Sequence, residues 1–186
     1  GLAGQVLHAK KMQAEGKDFK PIFGVEAYFI PSIEEWREEY ETAMADKKRA
    51  RSAKKDAASG ATVEDETDSK KLQGLLRRRR HLILLAQNQT GLNNLFKLVS
   101  ESYQSENFYR YPRMDYALLE KYGEGVIAAS ACLGGVYAGN YWENGIYDDE
   151  GNRTGVDREA ALDAMRDTTR RMQKAFGDRW YGELQW

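Results

Sequence analysis

With 186 residues, 41% hydrophobic and 11% aromatic, the chain is long enough for one domain with a substantial core and too short for two of ordinary size. Its 28 basic and 29 acidic side chains leave a formal net charge of −1, which excludes a polycation drawn as a whole to phosphate or to a membrane and confines any nucleic-acid contact to a local patch. Cys132 is the only cysteine, so an internal disulfide is excluded and a reducing cytoplasm is the expected compartment; the longest apolar stretch, around Val126 to Leu133, falls far short of the ~20 residues that span a bilayer, and no secretory signal is read.

In chain order, Leu2, Val6, Leu7 and Met12 share a helical face and Gly16 offers a stop, which predicts a first helix. "KPIFGVEAYFIP", Lys20 to Pro31, is rich in β-branched and aromatic residues and bounded by prolines, the pattern of a buried strand. From Glu34 to Arg80 the composition turns highly charged. That stretch predicts a solvated helix from about Ile33 to Lys55, a flexible break from Ala57 to Ser69 and a short helix ending at the arginines, together an insert over residues 34–80. "HLILLAQ" from His81 returns as a strand, with Thr90 placed to cap a helix whose stripe is Leu92, Leu95, Phe96, Leu98 and Val99. After a turn-like "NFYRYPRM", Asp115 caps a short helix through Leu118, Leu119 and Tyr122. "GVIAASACLGG" reads as a strand running into a double-glycine turn. Beyond the loop "NGIYDDEGNRTG", Asp157 starts a helix through Ala161, Met165, Met172 and Phe176, closed by Gly177, and "RWYGELQW" is a last strand. Strands alternating with helices predict an α/β fold with a parallel sheet or barrel. The first helix begins without a methionine and the chain stops inside a strand, so a fragment of something longer is expected.

No P-loop, GxGxxG or nucleophile elbow occurs in the sequence, which leaves nucleotide-cofactor and serine-hydrolase chemistry without a motif. Three residues stand out by chemical type: Glu26 within a strand, His81 at the head of one and Cys132 at the end of one. Brought together, a carboxylate, an imidazole and a thiolate suit zinc, and oxygen donors also accept manganese or magnesium. Their spacing of about fifty residues does not bring them together by itself. Each also has a plain reading: a lone cysteine packed as a small hydrophobe, a histidine at the surface, a glutamate holding an arginine. The run Arg77, Arg78, Arg79 and Arg80 is either a solvated helix end or, with Lys47, Lys48, Arg49, Arg51, Lys54 and Lys55, a phosphate contact. Tyr109 and Tyr111 around Arg110 offer stacking to nucleic acid or simple loop packing.

Four stretches, "KPIFGVEAYF", "HLILLAQNQTGLNNLFKLVSESY", "YPRMDYALLEKYGEGVIAASACLGG" and "RWYGELQW", together resemble the PHP (polymerase and histidinol phosphatase) domain found at the amino terminus of bacterial and phage DNA polymerase III alpha subunits. The likeness covers nearly the whole chain, residues 1–186, apart from the charged insert. It implies a partial, distorted (β/α)7 barrel with a metal cluster at one mouth, in which Glu26, His81 and Cys132 correspond to ligands. The family's HxH, DHG and DxH motifs are not in this sequence, and His8 matches no ligand, so the implied cluster is partial. Also implied are a DNA-directed DNA polymerase as parent, a 3′ to 5′ exonuclease-like or supporting role for the domain, and DNA, replisome subunits, a proofreading exonuclease and a sliding clamp as partners. The alternatives are a free-standing phosphoesterase and a metal-free interaction module.

Overall fold

A computed structural model describes residues 2–56, 70 and 72–185. Helix α1 (Leu2–Ala14) ends before Gly16, whose φ of +79° is the left-handed conformation glycine adopts without penalty. Its predicted apolar face is not buried: Ala9 alone is, and Leu2 and Leu7 stand exposed. Strand β1 (Gly24–Phe29) is followed by α2 (Ile33–Asp56), by a helical segment α3 over residues 72–77, and by β2 (Arg80–Ala86). The break expected at Ala57 to Ser69 lies outside the described residues.

The rest comprises α4 (Gln89–Ser102), a small hairpin of β3 (Phe108–Tyr109) and β4 (Tyr111–Pro112), α5 (Tyr116–Tyr122), β5 (Val126–Ala129) and α6 (Val136–Glu143). A second hairpin, β6 (Gly145–Tyr147) and β7 (Arg153–Val156), leads into α7 (Arg158–Phe176) and the short β8 (Trp180–Tyr181). Both hairpins fall where the sequence predicts loops, because strands of two to four residues are too short to show alternation. Asp115 and Asp157 cap α5 and α7 as expected, accepting from the N–H of Leu118 and Ala160. For α4 the cap is Asn88 rather than Thr90; its Oδ1 accepts the Gly91 N–H at 2.9 Å, and Thr90 lies inside the first turn.

The fold is mixed α/β, and the expected parallel sheet is only partly found. The order is β1-β2-β5-β8, with β1/β2 and β2/β5 antiparallel and only β5/β8 parallel. The reason lies in the connections. Phe29 at the end of β1 pairs with Arg80 at the start of β2, and Ala86 at the end of β2 pairs with Val126 at the start of β5. Each connection returns the chain to the end of the sheet that it left, so the next strand runs antiparallel to the one before.

Alternation then divides the sheet. Ala27, Phe29, Leu82, Leu84, Val126 and Ala128 are buried against Leu95, Leu98, Leu119, Val136, Met172 and Phe176 from α4 to α7, forming the core. The opposite face carries Glu26, Tyr28, His81, Ile83, Ile127 and Ala129, which stay partly or largely exposed. The charged segment is less solvated than its composition implies. Trp36 is buried and its Nε1 donates to the Leu75 carbonyl at 2.8 Å, while Ala43, Leu72, Leu75 and Leu76 form a small second core.

Candidate metal centre

Strands β1 and β2 place Glu26 and His81 on the same open face, since Glu26 pairs with Ile83 and Tyr28 with His81. The third donor arrives from the turn after β5. Ala131 adopts φ +59°, a strained conformation for a residue with a Cβ, and turns the chain so that Cys132 points back to β2. Gly135 is required there: a Cβ on it would lie 2.0 Å from the Ser130 carbonyl oxygen. The Gly134 carbonyl accepts the His81 N–H at 2.8 Å, which fastens the double-glycine turn to the head of β2.

The three donors meet. Glu26 Oε1 lies 2.7 Å from His81 Nδ1, and Cys132 Sγ lies 3.9 Å from the same nitrogen. The Gly134 N–H donates to Cys132 Sγ at 3.4 Å and fixes the position of the sulfur. Cys132 is exposed, so it is not packed as a small hydrophobe; Glu26 pairs with the histidine and not with an arginine. The set of oxygen, nitrogen and sulfur donors fits a transition ion. Two donors on one tetrahedral zinc stand ~3.3 Å apart, so at 2.7 Å Glu26 and His81 are in direct contact with each other. Among the described residues no group of three or more His, Cys, Asp or Glu side chains is arranged to enclose an ion.

The arginines of 77–80 separate by role. Arg78 pairs with Glu39 at 2.9 Å and Arg80 with Glu143. Both line a cavity of about 440 Å³ on the helix side of the sheet, which none of the three donors reaches. Of the three arginines that line it, Arg78 and Arg80 are held by these carboxylates. Arg79 instead lies over the rings of Tyr28 and Tyr111, at 4.8 and 4.0 Å, and Tyr28 in turn packs against the His81 ring at 5.6 Å. Tyr28 is a neighbour of the site that sequence reasoning missed, and Arg79, singled out there only as part of the basic run, is another. The signal was the period of two, which sets each on the same face as Glu26 and His81. Arg77 and Arg110 are exposed and belong to a different groove.

A family model described as "PHP domain" matches residues 3–186. The chain belongs to the PHP domain family. Among curated relatives, this PHP chain is 38% identical to the DNA polymerase III subunit alpha of Aquifex aeolicus over 135 residues, 73% of the chain and 9% of that protein. It is 54% identical to the DNA polymerase III subunit alpha of Borreliella burgdorferi over 67 residues, 36% of the chain and 6% of that protein. To the DNA polymerase III PolC-type of Bacillus subtilis it is 58% identical over 52 residues, 28% of the chain and 4% of that protein. The matched region is thus under a tenth of the length of these relatives. Among the described residues no helix is long and apolar enough to cross a membrane.

Proposed function

We propose that this PHP chain is a module of a replicative DNA polymerase of the alpha or PolC type, and that Glu26, His81 and Cys132 are three ligands of its divalent metal site. The observation that carries this reading is the convergence of three chemically different donors, from three distant parts of the chain, on one nitrogen-centred cluster at the open face of the sheet. The open face is then the interior of a partial (β/α)7 barrel, and residues 34–80 are an insert on its rim. Zinc suits the nitrogen and sulfur donors better than manganese or magnesium does.

When bound, the ion would supply a hydroxide from a coordinated water for cleavage of a phosphodiester, trimming a strand from its 3′ end. The residues themselves act as ligands and not as general bases. Glu26 holds the His81 ring through Nδ1, the Gly134 N–H holds the Cys132 sulfur in place, and Tyr28 packs the imidazole from the side. DNA, other replisome subunits, a proofreading exonuclease and a sliding clamp are the partners this reading gives the parent polymerase, in the cytoplasm. A second reading, a brace for polymerase and proofreading subunit without metal, is favoured by one contact: Glu26 and His81 already satisfy each other. Metal analysis of the purified chain beside His81→Ala and Cys132→Ser decides between them. Loss of most bound metal in both variants is the expected result; unchanged metal content in both overturns the ligand assignment.

A further inference from the structure

A groove of about 500 Å³ runs between the charged helices α2 and α3 and the β3–β4 hairpin, lined by Lys47, Gln73, Arg77, Tyr109, Arg110 and Tyr111 among others, with no carboxylate among the described residues that line it. In a chain of net charge −1, three cations beside two phenol rings, with no acid between them among the described residues, is a local exception. We propose that this groove binds single-stranded nucleic acid, Lys47, Arg77 and Arg110 taking backbone phosphates and Tyr109 offering a ring to a base.

The hairpin is built for presentation. Arg110 sits at its apex with φ +59°, a conformation a residue with a Cβ holds only when its surroundings impose it. The surroundings here are Arg113, fully buried, whose Nη1 donates to the carbonyls of Tyr109 and Tyr111 on either side of Arg110, and whose Nη2 donates to Leu76 of α3. One buried guanidinium therefore fixes both walls of the groove and leaves the Arg110 side chain in solvent. Tyr109, 39% exposed, is backed by the Tyr40 ring at 4.9 Å, which holds one edge and leaves surface for a base. Past Arg110 and Tyr111 the groove adjoins a depression of about 470 Å³ with Glu26 in its wall, so a strand lying in it extends toward the metal donors. Duplex is disfavoured by the ring stacking, which needs unpaired bases.

The test is fluorescence anisotropy of labelled oligothymidylate and oligouridylate with the 186-residue chain in EDTA, which keeps this result independent of the metal assignment. Expected are binding of at least one of the two, a salt slope that drops by about 1 for each of Lys47→Ala and Arg77→Ala, and roughly tenfold weaker binding for Tyr109→Ala. Arg110→Gly removes the cation and the strained φ together, so it should bind more weakly while its melting temperature holds or rises. Binding of either oligonucleotide alone names the sugar and supports the groove. No binding, tighter binding of a duplex of equal length, equal competition by a polyglutamate peptide, or full affinity in Arg110→Gly overturns the proposal.

Discussion

Arg113 is the residue on which the packing of the charged segment turns. It is fully buried, its guanidinium donates to the carbonyls of Leu76, Tyr109 and Tyr111 at 2.8 to 3.2 Å, and it lies 4.2 Å from the Trp36 ring. Burial first, and the charge of Arg79 second, lower its pKa to about 10, which still leaves it charged at neutral pH. Arg113→Met should cost about 3 kcal/mol in urea unfolding, because the buried Leu76 carbonyl and the part-buried carbonyls of Tyr109 and Tyr111 lose their donor. Arg113→Lys should recover little, since an ammonium cannot span the same fork of acceptors. A cost under about 0.5 kcal/mol for Arg113→Met, the range of ordinary surface changes, would contradict this. Nothing in "YPRM" marks this arginine. Its partners are backbone groups up to 37 residues away, and only the fold brings them near. The run at 77–80 drew the eye by composition, although two of its four members are occupied with Glu39 and Glu143.

Among the elements, the long amphipathic ones were the readable ones. α7 was found through Met172, Phe176, its Asp157 cap and its Gly177 stop, all of which the structure keeps. The sheet polarity was not readable, because alternating strands and helices look alike whether a connection returns to the end of the sheet it left or crosses to the other end. Asp115 shows both sides of this. Its cap on α5 follows from sequence, but its second oxygen accepts the Ile33 N–H at 3.1 Å and so also satisfies the start of α2, 82 residues away. Asp115→Ala should therefore cost about 2 kcal/mol, against about 1 kcal/mol for the single cap lost in Asp157→Ala. Thermal or urea melts of the two variants give the comparison, and equal losses would show that the link to α2 contributes nothing.

For the whole molecule, alkaline pH tests the packing around the charged segment through Tyr40. Tyr40 touches both small clusters of that segment, stacks on Trp36 and packs against Tyr109. Burial first, then its hydrogen bond with Tyr109, raises its pKa from 10.0 to about 12. A raised value means that the folded state holds the proton more tightly, so this contribution is whole below pH 10 and is lost as pH climbs from 10 through 12. Arg113, lowered from 12.5 to about 10, works the other way: the cost of its buried charge is relieved over much the same range. Tyr40→Phe should accordingly lose less stability than the parent chain between pH 10 and 12, and parallel losses would remove Tyr40 from the account. The candidate centre was readable only as chemistry. Residue type picked out Glu26, His81 and Cys132, while their meeting depends on antiparallel pairing of β1 with β2 and on a turn with Ala131 at positive φ, neither of which a linear pattern encodes. The most direct measurement is a cobalt(II) titration of the 186-residue chain followed by absorption. The ligand assignment predicts a thiolate-to-cobalt charge-transfer band that disappears in Cys132→Ser and weakens in His81→Ala; no such band, or one that survives Cys132→Ser unchanged, contradicts it.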